Sequence, residues 1–112
     1  MAAAPALHCE VEKSRGKDPQ GNEITMVHCH GRLVSDTAET FKEVVRPLLP
    51  LGGRIVVDLG DLNYLDSSGL GTMVGLKASA LRQGLCILEF ANMTPRILEL
   101  LRITNLLQMF SS

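Results

Sequence analysis

The chain has 112 residues, of which 46% are apolar, 21% charged and 4% aromatic, with eleven basic residues against twelve acidic ones. That length suits one domain with a single core of Leu, Val, Ile and Met and leaves no room for an appended catalytic domain. A net charge of −1, without Lys/Arg clusters interleaved with aromatics, argues against nucleic-acid binding.

Apolar runs are short and the first residues lack a basic n-region, so neither a signal peptide nor membrane insertion is expected, and the expected location is cytoplasmic. Residues 1–7 read as a flexible N-terminal tail and residues 8–112 as the domain. His8 to Lys13 and Ile24 to His30 form two strands of a hairpin, with Gly16, Asp18-Pro19 and Gly21-Asn22 in its long polar tip. After Gly31-Arg32-Leu33, the N-cap types Ser35-Asp36-Thr37 precede apolar residues at Ala38, Phe41, Val44, Val45, Leu48 and Leu49. Steps of three and four predict an amphipathic helix that stops near Pro50 and Gly52-Gly53.

Ile55-Val56-Val57, with Leu59 beyond, is a β-branched run of the kind expected in a central strand covered on both faces. Apolar positions Leu70, Met73, Val74, Ala78 and Leu81 then recur at helical spacing from Ser67 or Ser68 to Gln83, and Gly84 ends that helix. Cys86 to Phe90 is a further strand, so the unit reads as a right-handed βαβ crossover with parallel strands. Thr94-Pro95 starts a short helix with Ile97, Leu98, Leu100 and Leu101 on its apolar side, and Asn105 ends it. Leu106 to Phe110 fits either a last edge strand or another helix. The fold class is therefore α/β: a mixed sheet with parallel core strands, helices packed on it and an N-terminal β-hairpin.

Tyr64-Leu65-Asp66-Ser67-Ser68-Gly69-Leu70-Gly71 is the most informative stretch, because it places a carboxylate and two hydroxyls where a buried strand becomes a helix. Asp66 is the expected N-cap, and Ser67 falls in the first turn, where unpaired N–H groups and the positive end of the helix favour an anion. A phosphate on Ser67 would be tolerated there and would add roughly −1.5 to −2 charges beside Asp66, which suits a binding switch. The same segment also fits a simple capped helix start. Gly69, Gly71 and Gly75 weigh against that, since glycines inside a helix cost up to about 1 kcal/mol each and imply a close neighbour or partner.

No Gly-Lys-Ser/Thr or full Gly-x-Gly-x-x-Gly occurs, so no nucleotide site and no cofactor are read. A serine hydrolase is not supported, because His8, His28 and His30 all fall on the hairpin and there is no Gly-x-Ser-x-Gly elbow. Cys9, Cys29 and Cys86, odd in number and widely spaced, read as reduced thiols acting as apolar filler. If the hairpin pairs symmetrically about its tip, Cys9, His28 and His30 share a face, a weak candidate set for a soft metal.

Arg54-Ile55-Val56-Val57-Asp58-Leu59, then Leu62, Leu65 and Asp66-Ser67-Ser68-Gly69-Leu70-Gly71, resemble the signature strand, loop and helix start of the STAS domain, and within it the bacterial anti-sigma factor antagonists. Thr37-Ala38-Glu39-Thr40-Phe41 resembles that family's first helix and Pro95 to Leu107 its closing segment, so the likeness spans roughly residues 24 to 110. The resemblance implies a substrate and ligand rather than an enzyme. Ser67, with Ser68 as second choice, would be phosphorylated by a partner that is both anti-sigma factor and serine kinase. The unphosphorylated form would bind that kinase and release the sigma factor, and a PP2C-type phosphatase would reset the serine. ATP and magnesium would belong to those partners.

The expected partner face comprises Ser35, Asp36, Thr37 and Ala38 with Asp66, Ser67, Ser68, Gly69, Leu70, Gly71, Met73 and Val74. Where many members carry an acidic residue after Gly-x-Leu, this chain has Val34, with Asp36 two positions later. The family also includes accessory or scaffold subunits of transport and stress-sensing complexes, which act by constitutive binding.

Overall fold

A computed structural model of the chain describes residues 7–110. Of the tail expected over residues 1–7, only Leu7 lies within the described residues; it is buried and opens the first strand opposite Gly31. That strand, β1 (Leu7–Lys17), pairs antiparallel with β2 (Glu23–Leu33), and both run further toward the tip than the alternating segments alone suggest. The tip is tightened by Asp18, whose Oδ1 accepts from the backbone N–H groups of Gln20 at 3.0 Å and Asn22 at 2.7 Å. The register is irregular between Lys13 and Lys17, so the extra length is carried by a distorted segment.

The first helix, α1 (Ala38–Val45), is shorter than its apolar pattern predicts, and the chain continues as a 3-10 helix over Arg46–Leu51. Pro47 and Pro50 explain the change, since each removes an N–H that an α-helix needs. Strand β3 (Gly53–Leu65) leads into α2 (Ser67–Gln83), which ends on Gly84 at φ 67° before β4 (Cys86–Ala91). The four strands lie in the order β1-β2-β3-β4, antiparallel at the hairpin and parallel from β2 onward, as expected of a mixed α/β sheet.

α1 and α2 pack on one another, so both crossovers lie on the same side of the sheet. Ile55, Val57 and Leu59 are buried in one cluster with Phe41 and Val45 of α1 and Leu70, Met73 and Leu76 of α2. Each such side chain taken from water contributes about 1.5–3 kcal/mol. The expectation that β3 is covered on both faces is not met: the alternate residues Val56 and Asp58 are only half-buried, on a face that α1 and α2 leave open.

The last helices complete the domain. Thr94 caps α3 (Pro95–Ile103) by accepting from the Ile97 N–H at 3.3 Å, with Pro95 in the first turn and Ile97 and Leu101 buried. Asn105, at φ 59°, turns the chain into α4 (Leu107–Phe110), a helix rather than an edge strand, and the Phe110 ring lies 5.4 Å from that of Phe90.

Candidate functional site

Asp66 stands between β3 and α2 in extended backbone, and its Oδ1 accepts from the Gly69 N–H at 2.9 Å, the hydrogen bond of an N-cap. Its Oδ2 receives the Ser35 N–H at 3.4 Å, and its own N–H donates to the Leu33 carbonyl at 3.3 Å. One residue thereby ties the start of α2 to the end of β2 and the loop that follows it. Ser67 and Ser68 come next in the first turn of α2, and both are exposed.

The three glycines of α2 have different causes. A Cβ at Gly69 would sit 2.2 Å from the Leu33 carbonyl oxygen, so that glycine is fixed by the close approach of β2. At Gly71 and Gly75 a Cβ would meet nothing within 4 Å. Nothing among the described residues explains those two, and both line an open groove of about 680 Å³ between α1 and α2. Lys42 of α1, Arg46 at the start of the 3-10 helix, and Arg82 and Ser68 of α2 also border it, giving a basic margin with one of the serines at its end.

A family model described as "Mlab, STAS domain" matches residues 18–110. The anti-sigma-B factor antagonist of Bacillus subtilis is 31% identical over 87 residues, covering 78% of this chain and 79% of that protein. The chain belongs to the STAS domain family. Among solved structures, an anti-sigma factor antagonist from Mycobacterium paratuberculosis superposes with a TM-score of 0.73 at 18% identity, over 98% of this chain and 88% of that one. The Bacillus cell fate determinant SpoIIAA in its phosphorylated form superposes with a TM-score of 0.64 at 16% identity, over 88% and 85%. These two likenesses are of fold.

The partner face read from the sequence is redrawn by burial. Met73 has no exposed surface, and Thr37, Gly69 and Leu70 are buried, so these four support the site from beneath and do not present themselves to a partner. The reason is helical phase: Leu70, Met73, Leu76, Lys77 and Ala80 make the inner side of α2, which leaves Ser67, Ser68, Gly71 and Gly75 outward. Val74 and Ala38 are half-buried, and Ser35 and Asp36 are exposed at the start of the α1 connection. Thr37 does not cap α1 with its side chain; its hydroxyl donates to the Arg32 carbonyl at 2.8 Å and accepts from the Val34 N–H at 2.9 Å. The basic margin formed by Lys42, Arg46 and Arg82 was missed in the sequence, because only the packing of α1 against α2 brings it together.

Cys9, His28 and His30 do not share a face. The register pairs His8 with His30, Cys9 with Cys29 and Glu10 with His28, one residue away from the symmetric guess, and a single step moves every side chain to the opposite face. The cysteines turn toward α1 and the core, while the histidines lie on the open face of the STAS sheet. There His28 lies 3.7 Å from Glu12 and 3.6 Å from Asp58, and His30 lies 3.3 Å from Glu10 and 3.1 Å from Asp61. Hydrogen bonds from Asn92 and the Gly60 N–H hold the Asp58 carboxyl below its ordinary range, with His28 adding to the effect. Among the described residues no group of three or more His, Cys, Asp or Glu is arranged to hold a metal ion. No helix among them is long and apolar enough to cross a membrane.

Proposed function

We propose that this STAS domain is an anti-sigma factor antagonist whose unphosphorylated form binds an anti-sigma factor serine kinase, and that phosphorylation of Ser67 ends the binding. The observation that carries this reading is an exposed Ser67 in the first turn of a helix capped by Asp66, next in sequence to Ser68, which lines the open groove between α1 and α2. The kinship with an anti-sigma-B factor antagonist, and the existence of a phosphorylated form of the similarly folded SpoIIAA, support it.

The physical logic is that of a charge switch. A phosphoserine brings roughly −1.5 to −2 charges to a position already next to the Asp66 carboxylate, and the first-turn N–H groups of α2 hold it without unfolding the helix. A partner seated over Ser67 with acidic or apolar groups is then repelled. Removal of the phosphate by a PP2C-type phosphatase restores the neutral hydroxyl. Incubation with ATP and the cognate kinase tests the assignment: Ser67→Ala abolishes phosphate incorporation and Ser68→Ala retains it. Persistent labelling of Ser67→Ala would remove Ser67 as the acceptor.

A second reading is an accessory or scaffold subunit that binds constitutively in a transport or stress-sensing complex. Val34 favours it, because it stands where many members of the family carry an acidic residue near the phosphoacceptor. Pull-down from native lysate separates the two. Recovery of an ATPase-fold kinase supports the switch, and recovery of an ABC transporter or scaffold protein supports the subunit.

A further inference from the structure

We propose that Cys9 and Cys29 form a redox modification site, in which hydrogen peroxide converts the two thiols to a disulfide that staples β1 to β2. The register places the two residues directly opposite each other on neighbouring antiparallel strands. Opposed residues in such a ladder have Cα atoms about 4.5–5.5 Å apart, within the roughly 4.4–6.8 Å a disulfide spans. Their side chains share the helix-facing side of the sheet, and the two sulfurs already touch at 3.6 Å. A bond of about 2.05 Å needs a further approach of roughly 1.5 Å, a displacement that rotation of the two side chains supplies.

The two thiols are unequal in a way that assigns their parts. Cys9 is half-buried at the edge of the sheet, whereas Cys29 is 1% exposed inside the core cluster. The Cys29 thiol beside it holds the Cys9 pKa below its ordinary value against the opposing effect of burial. Contact with Cys9, together with burial, pushes the Cys29 thiol up, so it keeps its proton.

Cys9 thiolate attacks a peroxide oxygen, the O–O bond breaks, and with one proton the products are Cys9 sulfenic acid and one water. The Cys29 sulfur then attacks the sulfenic sulfur; the S–S bond forms, and the hydroxide released takes the Cys29 proton to leave as a second water. Two thiols have lost two hydrogens and two electrons, and the peroxide has been reduced to two waters. Cys86 takes no part, because β4 lies at the far edge of the sheet with β2 and β3 between it and β1.

The consequence falls on the hairpin. β1 is an edge strand held by one neighbour, and from Glu10 to Lys17 its residues are exposed, so it opens easily while the thiols are reduced. A crosslink between Cys9 and Cys29 closes the loop that contains the tip and restricts that opening.

The test uses the 112-residue chain treated with hydrogen peroxide, then alkylated and mapped by mass spectrometry. The expected product is an intramolecular Cys9–Cys29 peptide, an intact mass lower by two hydrogens, and slower amide exchange at Glu10 and Val11. Cys9→Ser and Cys29→Ala abolish the crosslink, and Cys86→Ser leaves it in place. Cys9→Ser, altered at a half-exposed position and checked by circular dichroism, decides the matter even where Cys29→Ala does not fold. Accumulation of Cys9 sulfinic acid, a disulfide-linked dimer, or two freely alkylated thiols under conditions that oxidise Cys86 would overturn the assignment.

Discussion

Gly69 and Gly71, two positions apart in one helix, show how the same residue type answers different constraints. At Gly69 the Leu33 carbonyl occupies the place of a Cβ, so Gly69→Ala must displace backbone, and it is expected to destabilise the domain by about 1–3 kcal/mol in urea unfolding. At Gly71 a methyl meets open space, so Gly71→Ala is expected to stabilise by up to about 1 kcal/mol through helix propensity alone. The same substitution adds a methyl to the lining of the groove and should weaken capture of the kinase partner. Undiminished capture by Gly71→Ala would mean that the groove does not seat that partner. From sequence the three glycines of α2 are equivalent, since a local pattern shows a helix with too many glycines and not which backbone approaches which. Lys77 is the converse case. A lysine reads as an outward residue, yet it is 3% exposed, and its Nζ donates to the Leu88 carbonyl at 2.5 Å. Its apolar stem packs under α2 while its amine reaches β4, a placement no hydropathy pattern gives.

Among the elements, the β1–β2 hairpin depends most on a single charge. Asp18 closes the tip through the Gln20 and Asn22 N–H groups, and it also accepts from Arg54 Nε at 2.8 Å, while Arg54 in turn pairs with Glu89 of β4. The Arg54 hydrogen bond, helped by Asn22, holds the Asp18 carboxyl at about 2, against an ordinary value of 3.8. Because the folded value is the lower one, the unfolded chain binds more protons at acid pH, and the contribution of Asp18 is complete above about pH 4 and lost as pH falls through 2. The urea midpoint of the native protein should therefore drop across that window. Asp18→Asn should show a shallower drop with a lower midpoint at neutral pH. Equal acid sensitivity of the two proteins would show that the decline comes from other carboxylates. The turn was readable from Asp18-Pro19 and Gly21-Asn22, but the ion pair was not, because Arg54 lies on another strand. In α1 the apolar spacing correctly marks the buried side through Phe41 and Val45, while Pro47 limits the α-helix earlier than the spacing suggests.

At the scale of the molecule, the described residues form a sheet clothed on one side, whose inner and edge strands are held unequally. β3 is paired on both flanks and feeds the core with Ile55, Val57 and Leu59, whereas β1 has a single neighbour and an exposed outer half. Amide exchange should accordingly be slowest in β3 and fastest in β1 beyond Val11; uniform protection across the sheet would contradict this ranking. The sequence by itself determined the kind and order of nearly every element, the caps Asp66, Thr94 and Gly84, and the exposed serine at the start of α2. These are local matters, decided by periods of two and of three to four residues and by the hydrogen-bonding habits of a few side chains. Only the tertiary structure decided that Cys9 faces Cys29 and the histidines face solvent, that Met73 and Leu70 lie beneath the site, and that Gly71 and Gly75 border a basic groove. Those facts turn on the one-residue parity of strand register and on the rotation of one helix against another, both set by contacts between residues far apart in the chain.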